Sequence, residues 1–161
     1  MNHINVVIVG AGISGIGAAY NLKTRCSQKS FTILEGRANL GGTWDLFKYP
    51  GIRSDSDMHT MGFKFKPWRS PKTIADAPSI LSYLNETVDE FDLRKDIQFN
   101  KKVIAATWSS VDALWNIKIE DQTNQTIEEA TCNFCTYAAV ITIMMKGTHP
   151  NSKMLKVSKD K

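Results

Sequence analysis

A short apolar strand, a glycine-rich turn and a helix follow one another at the start of the sequence, and they constrain the fold more than any other feature. Residues 4–9 form a β-branched apolar run that is typical of a buried parallel strand. Residues 13–26 have the pattern of a helix with small residues on one face, and residues 31–34 form a second buried strand. This order predicts a β-α-β unit with parallel strands and a right-handed crossover.

The turn after the first strand has the sequence GAGISG, which fits the pattern G-x-G-x-x-G. Gly10 allows the tight turn, Gly12 leaves room for a pyrophosphate beside the backbone, and Gly15 lets the helix pack close to the strand. Ser14 offers a further hydroxyl donor. Glu35 ends the second strand, where a carboxylate accepts hydrogen bonds from a ribose. The pattern predicts a dinucleotide site that NAD and FAD both fit; the alternative is a glycine turn with only a packing role.

Beyond the second strand, the sequence predicts a long irregular segment, one helix and a set of strands. Residues 36–75 show little periodicity, but their aromatic clusters argue against disorder. Residues 76–91 have an amphipathic helical pattern with Pro78 in the first turn. Three strand-like segments follow, at residues 97–108, 114–120 and 126–134. We therefore predict an α/β, Rossmann-like domain in which a parallel β-α-β sheet is joined to an antiparallel β-meander.

The net charge of +4 comes entirely from the end of the chain. Up to Cys132, fifteen Lys and Arg side chains balance fifteen Asp and Glu side chains; five lysines and one aspartate follow. A nucleic-acid-binding face should be basic within the folded part, so we expect no nucleic-acid partner. No apolar run approaches the roughly 20 residues of a transmembrane segment. The start of the chain also lacks the basic region of a signal peptide, and we expect a cytoplasmic protein.

The three cysteines include a C-x-x-C pair, Cys132 and Cys135, which invites a zinc or redox interpretation. A structural zinc site needs two more ligands, and the three histidines are scattered along the sequence. A redox pair is expected at the start of a helix, where the thiolate is stabilised, whereas this pair lies in a strand-like run. We therefore expect reduced thiols and no metal site.

Several motifs together carry a family resemblance that covers residues 5–134. They are the turn GAGISG, the strand end ILE, the long segment GGTWDLFKYPGIRSDSDM and the segment GFKFKPW. The sequence resembles the class B flavoprotein monooxygenases of the Baeyer–Villiger type, in the branch that includes the ethionamide-activating monooxygenases. The resemblance implies an FAD-binding domain, FAD and NADP as cofactors, and a small ketone or sulfur-containing substrate that is oxygenated at the expense of NADPH.

The family's cofactor roles carry over to the matching positions of this sequence. Gly10, Gly12, Ser14 and Gly15 would hold the FAD pyrophosphate, and Glu35 would bind the ribose. Other FAD contacts would be made by Thr43, Trp44, Asp45 and Leu46 on the flavin side, by Asp55 beside the isoalloxazine, and by Val103, whose backbone would meet the adenine. Arg53, Ser54 and Asp55 lie where the family's NADP contacts this domain.

Three of these positions have simpler explanations. Arg53 and Asp55 could pair with each other on the surface, Trp44 could be an ordinary core residue, and Val103 is a strand residue whatever it binds. The family's catalytic arginine lies beyond the matched region. No residue of this chain takes the role of that arginine. The resemblance implies only a flavin-side role for Asp55.

After Phe134 the sequence departs from the family pattern. We assign residues 1–134 to the N-terminal part of an FAD-binding domain and residues 135–161 to a tail outside the family. Residues 136–150 can be encoded so that a shifted reading frame gives ICSGYYNYDEGYTP, which resembles the family's continuation. The fixed codons of Met144 and Met145 give an aspartate in that frame. We therefore expect a single-base frameshift near residues 134–135; the alternative is a coincidence allowed by codon freedom.

This interpretation implies that the NADP-binding domain and the rest of the FAD-binding domain are missing, and that the chain alone does not turn over substrate. Residues 137–145, which are apolar and β-branched, could occupy the place of the missing parallel strand. Two alternatives stay open: a non-catalytic dinucleotide-binding fragment, and an NAD-dependent protein of the dehydrogenase type with the same glycine motif.

Overall fold

A computed structural model describes residues 2–138 and 157–159 of the chain. Its strands form one mixed sheet, whose order from one edge to the other is Ile97–Gln98, Phe31–Leu34, Asn2–Val9, Thr126–Tyr137, Leu114–Asp121, Lys101–Ser109 and Val157–Lys159. Most of the predicted tail, and all but the first two residues of the segment expected to replace a missing strand, lie outside the described residues. The elements are β1 (Asn2–Val9), α1 (Ile13–Arg25), β2 (Phe31–Leu34), α2 (Thr43–Leu46), α3 (Met58–Met61), α4 (Ala77–Glu90), a 3-10 helix (Arg94–Asp96), β3 (Ile97–Gln98), β4 (Lys101–Ser109), β5 (Leu114–Asp121), β6 (Thr126–Tyr137) and β7 (Val157–Lys159).

The predicted β-α-β unit is present with the expected parallel pairing. Val6 of β1 is opposite Phe31 of β2, and Val9 is opposite Leu34. Because side chains alternate along a strand, β1 contributes to a core on each face of the sheet. One core holds Ile8 with the inner faces of α1 and α4, and the other holds Val7 with residues of β4 and β5.

The long helix α4 begins and packs as its sequence predicts. The carboxylate of Asp76 caps it by accepting a hydrogen bond of 2.9 Å from the backbone N–H of Ser79. Ile80, Leu84 and Val88 recur at helical spacing and are fully buried against the sheet. The helix thereby covers one face of the sheet next to α1.

The antiparallel meander is confirmed for β4, β5 and β6, but its predicted first strand is wrong. Residues 97–108 do not form a single strand, because Asn100 adopts a left-handed backbone conformation with φ of 58°. The part before Asn100 is β3, which pairs in parallel with β2 through Ile33 and Ile97. The part after it is β4, which pairs with β5 in antiparallel fashion, with Ala106 opposite Ile117.

Strand β6 also differs from the prediction, since it continues to Tyr137 rather than ending at Phe134. Its first part pairs antiparallel with β5, and its second part pairs parallel with β1, where Val9 is opposite Tyr137. Strand β6 extends to Tyr137 because β1 supplies hydrogen-bonding partners to the residues that follow Cys132, the last residue of β6 paired with β5. The strand therefore joins the meander to the parallel half of the sheet.

The irregular segment over residues 36–75 is ordered by a few specific contacts. The buried Ser54 exchanges hydrogen bonds with Ala75: its backbone N–H donates to the Ala75 carbonyl at 2.8 Å, and its hydroxyl accepts from the Ala75 N–H at 3.1 Å. The phenolic oxygen of Tyr83 on α4 accepts from the N–H of Phe63 at 2.7 Å. The first pair of bonds joins two distant points of the segment, and the third attaches the segment to helix α4.

Candidate dinucleotide site

The glycine turn after β1 is held in place by a backbone hydrogen bond to the end of β2 and by close packing against helix α1. The N–H of Gly10 donates to the carbonyl of Leu34 at 2.9 Å, which joins the ends of β1 and β2. A Cβ atom at Gly15 would lie 2.0 Å from the carbonyl oxygen of Gly10. Only glycine fits at this position, and its absence of a side chain brings helix α1 directly against the turn.

The start of α1 receives no capping side chain from the described residues. Its N-cap residue, Gly12, provides no side-chain hydrogen bond, and its first turn contains no acidic side chain. Ser14 is exposed beside it. The N–H groups at the start of a helix and the helix dipole attract an anion, so this end is suited to a phosphate.

Glu35 lies beside the turn, as its place after β2 predicts. Its side chain is almost fully buried, and Oε2 accepts a hydrogen bond of 2.8 Å from the backbone N–H of Ala11. Oε1 accepts a bond of 3.0 Å from the backbone N–H of Arg37. Oε1 also accepts from Nε of Arg37 at 3.4 Å, whereas Oε2 accepts a single bond and keeps a lone pair for a hydroxyl group of a ribose.

The next segment folds back over the glycine turn. The N–H of Gly41 donates to the carbonyl of Ala11 at 2.9 Å. A Cβ atom at Gly42 would lie 3.0 Å from the Cα of Gly12, and Gly42 has a positive φ of 57°. The two glycine segments therefore approach each other at backbone contact distance, which a larger residue would prevent.

The short helix α2 contains the four residues expected on the flavin side. Trp44 is partly buried and packs against the hydrophobic core that includes residues of α4. These contacts agree with the alternative that Trp44 is an ordinary core residue. The carboxylate of Asp45 lies 3.3 Å from Lys48 and 3.6 Å from Arg37. Thr43 is partly buried, whereas Leu46 is exposed. The helix thus presents both polar and apolar groups near the glycine turn.

The three residues expected to contact NADP lie together on the irregular segment, but they differ in exposure. Arg53 and Asp55 are exposed, whereas Ser54 is buried and its hydroxyl is engaged with Ala75. Among the described residues, Arg53 and Asp55 form no ion pair with each other. Both charged side chains are accordingly available to a ligand or to another part of the protein.

Val103 lies on β4 close to the end of β2. It is buried in the core that also contains Val7 and Leu34. The start of the same strand contacts the site, because the N–H of Lys101 donates to the backbone carbonyl of Glu35 at 2.9 Å. The start of β4 therefore lies beside the backbone of Glu35, while the side chain of Val103 is part of the core.

Arg37 contacts both Glu35 and Gly42, although the sequence motifs did not identify it as a site residue. Its Nη2 donates to the carbonyl of Gly42 at 2.9 Å, and its Nε donates to Oε1 of Glu35 at 3.4 Å. Its Nη1 is buried and has no hydrogen-bond partner in the described part of the chain. In the sequence, the signal for Arg37 is a basic residue two positions after the acid that is predicted to bind a ribose.

The C-x-x-C pair, Cys132 and Cys135, belongs to the packed interior of the sheet. Cys132 is fully buried in the sheet core, and the neighbouring Cys135 thiol, together with burial, raises the pKa of the Cys132 thiol. Over residues 2–138, no group of His, Cys, Asp and Glu side chains is arranged to hold a metal ion. Within the same part of the chain, no helix has the length and apolar character required to cross a membrane.

Comparisons with known proteins point to one enzyme class. Residues 8–71 match the family model of the NAD(P)-binding Rossmann-like domain. The chain is 56% identical over 132 residues to the FAD-containing monooxygenase EthA of Mycolicibacterium smegmatis, covering 82% of this chain and 26% of that protein. It is 56% identical over 119 residues to the probable FAD-binding monooxygenase AlmA of Acinetobacter baylyi, covering 74% of this chain and 24% of that protein.

Solved structures of monooxygenases share the fold. An open crystal structure of cyclohexanone monooxygenase superposes with a TM-score of 0.76 and 27% identity, covering 86% of this chain and 27% of that one. An oxidised steroid monooxygenase bound to NADP gives a TM-score of 0.75 and 29% identity, covering 86% and 26%. The chain thus spans about a quarter of the length of the proteins it matches. In sequence and in fold, this chain is a homologue of the FAD-containing monooxygenases and of the Baeyer–Villiger enzymes among them.

Proposed function

We propose that this chain is the FAD-binding N-terminal portion of an NADPH-dependent flavin monooxygenase. The observation that carries the proposal is the contact between Glu35 and Ala11, because it holds a buried carboxylate, which could accept from a ribose, beside a helix N-terminus suited to a phosphate. The relatives named as FAD-containing monooxygenases support FAD as the dinucleotide.

The residues of the glycine turn fit this cofactor. The uncapped N-terminus of α1, with Gly12 and Ser14, would bind the diphosphate, and the acceptor oxygens of Glu35 would bind the adenosine ribose. Thr43, Trp44, Asp45 and Leu46 would lie on the flavin side, with Asp55 beside the flavin ring and the backbone at Val103 near the adenine. When bound, FAD supplies the redox chemistry of oxygenation, and the protein supplies position and electrostatics.

The remaining roles concern the other reactants. Arg53 and Asp55, both exposed, would contact NADP together with the backbone of Ser54. By similarity to the relatives, the substrate of the complete enzyme would be a small ketone or a sulfur-containing compound. Because the chain spans about a quarter of their length, we do not expect the 161 residues to complete a catalytic cycle alone.

Binding of FAD by the purified 161-residue chain tests the proposal. Titration of FAD, followed by flavin fluorescence and by the visible spectrum, should give saturable binding, and FMN, which lacks the adenosine, should bind more weakly. Glu35→Gln should weaken FAD binding roughly 10- to 100-fold, since hydrogen bonds to charged groups contribute about 1.5–3 kcal/mol. Glu120→Gln removes a partly exposed carboxylate that pairs with Lys102 on the meander and is the matched control.

A second candidate is an NAD-binding protein of the dehydrogenase type, which the description of the matching family model favours. Titration of the same chain with NAD and NADP distinguishes the two. Binding of NAD without binding of FAD, in a sample whose circular dichroism shows a folded protein, would overturn the flavoprotein proposal. A non-catalytic FAD-binding fragment would instead bind FAD and show no NADPH oxidation.

A further inference from the structure

We propose that Arg37 is a positioning residue of the FAD site, which holds Glu35 and the Gly41–Gly42 segment in one arrangement. Its Nη1–H groups, which make no hydrogen bond to the described residues, would donate to the bound dinucleotide. This inference rests on the proposed function, because the ligand in question is FAD.

The guanidinium of Arg37 joins the two walls of the site. On one side, Nε donates to Oε1 of Glu35 at 3.4 Å; on the other, Nη2 donates to the carbonyl of Gly42 at 2.9 Å. Glu35 is itself bound to the turn through Ala11, and Gly42 touches the turn at Gly12. Because a guanidinium is planar and has five N–H donors in fixed directions, one side chain can fix both walls at once.

The charges around Arg37 also favour an anionic ligand. Its neighbours are two carboxylates with little exposure: Glu35, and Asp45 at 3.6 Å from Nη1. Without the guanidinium, the exposed Lys48 would be the one cation of the described residues that still pairs with either carboxylate. Arg37 neutralises one of them and so lowers the repulsion that a dinucleotide meets on entering the site.

The donor capacity of Arg37 is incompletely used by the described residues. Nη1 is buried and has no hydrogen-bond acceptor, since Asp45 lies beyond hydrogen-bond distance. Buried donors in folded proteins are normally paired, and an oxygen atom of the bound ligand would pair this one. A dinucleotide carries such oxygens on its phosphates and ribose.

Variants of Arg37 in the full 161-residue chain test this role through FAD binding and thermal unfolding. Arg37→Met should weaken FAD binding at least 10-fold and reduce the FAD-induced rise in Tm. Arg37→Lys should recover only part of the affinity, because an ammonium cannot bridge Glu35 and Gly42 in the same plane. The backbone N–H of residue 37 still holds Glu35 in each variant, so the fold should persist. Arg69→Met, at an exposed position, is the control.

A double variant separates positioning from simple stabilisation. If Arg37 acts through Glu35, Glu35→Gln and Arg37→Met together should cost less affinity than the product of the two single losses. A purely structural role would lower Tm without FAD while leaving the affinity of the folded protein unchanged, and that result would overturn the proposal. If Arg37→Met does not fold, wild-type affinity in Arg37→Lys overturns it instead. Failure of the wild-type chain to bind FAD would overturn the proposed function, and this inference with it.

Discussion

The backbone N–H of Ala11 donates a hydrogen bond of 2.8 Å to Oε2 of Glu35. This bond connects the turn after the first strand to the end of the second, and it places a buried carboxylate within reach of a helix N-terminus. Under the proposed function, the group for the phosphates and the group for the ribose are therefore connected directly by the protein itself. A connection of this kind reduces the entropic cost of ordering the parts of a site on binding.

Gly15→Ala should disrupt this site more than any other single methyl addition to helix α1. The new Cβ would lie 2.0 Å from the backbone oxygen of Gly10, so the helix must move away from the strand. We expect a loss of about 1–3 kcal/mol in unfolding free energy, the usual cost of overpacking, with loss of FAD binding. Urea unfolding and FAD titration measure the two effects.

The control is Gly17→Ala, two residues later in the same helix. Its Cβ would lie 3.2 Å from a ring carbon of Phe63, and a side chain can shift where a backbone carbonyl cannot. Alanine also favours a helix over glycine by about 1 kcal/mol, so this variant should remain close to wild type. Equal losses in the two variants would contradict the close-packing role of Gly15.

The hydroxyl of Tyr83 is predicted to stabilise the irregular segment. It accepts from the N–H of Phe63 at 2.7 Å and donates to the carbonyl of Lys66 at 2.5 Å. Tyr83→Phe removes both bonds and leaves a poorly hydrated backbone N–H without a partner, which costs about 1–3 kcal/mol in unfolding free energy. Chemical denaturation measures the loss.

Tyr20→Phe is the matched control for Tyr83→Phe. The Tyr20 ring stacks on Phe65 with a centroid separation of 3.5 Å, and its hydroxyl makes no hydrogen bond to any described residue. Its removal should change the unfolding free energy by less than about 0.5 kcal/mol. A Tyr83→Phe variant as stable as this control would show that water satisfies the Phe63 N–H.

The parts of the fold that local patterns determine could be predicted from the sequence. The β-α-β unit follows from two apolar runs and the turn at residues 10–15, because each signal lies within the element it specifies. The placement of Glu35 beside that turn follows from the parallel pairing of two short strands. These features needed no information about distant parts of the chain.

The features that were missed depend on contacts between distant residues. The break at Asn100 follows from the pairing of Ile97 with Ile33 on β2, which no local pattern reveals. The extension of β6 to Tyr137 likewise depends on its ladder with β1. The role of Arg37 depends on the return of Gly42 over the turn, so its importance becomes visible only in three dimensions.

The stability of the meander should depend on the protonation of Asp121 in acid. Asp121 accepts hydrogen bonds of 2.9 Å from the Lys101 ammonium and from the Thr123 N–H. These contacts, the Lys101 bond first, lower its pKa from 3.8 to about 2. Because the folded-state pKa is the lower one, the ionised group contributes its full stability above about pH 4. That contribution is lost as the pH falls towards 2.

Asp121→Asn should therefore lower Tm at neutral pH and flatten the decline of Tm between pH 4 and pH 2. Differential scanning calorimetry over this range measures both effects. Asp55→Asn is the control, because it removes an exposed carboxylate without a hydrogen bond to the described residues. Parallel Tm profiles for the wild type and Asp121→Asn would show that Asp121 does not contribute to the acid sensitivity.

The coding sequence of residues 136–150 should contain a shifted reading frame. In that frame the codons of these residues can specify ICSGYYNYDEGYTP, which resembles the continuation of the monooxygenase family. The fixed codons of Met144 and Met145 alone determine its aspartate. Resequencing of the gene and its transcript should reveal a one-base difference near codons 134–135 that restores this frame. The codons before it serve as the internal control and should be unchanged. A confirmed in-frame sequence, with an intact protein mass that matches the 161 residues, would contradict the prediction and make the tail a genuine feature of the protein.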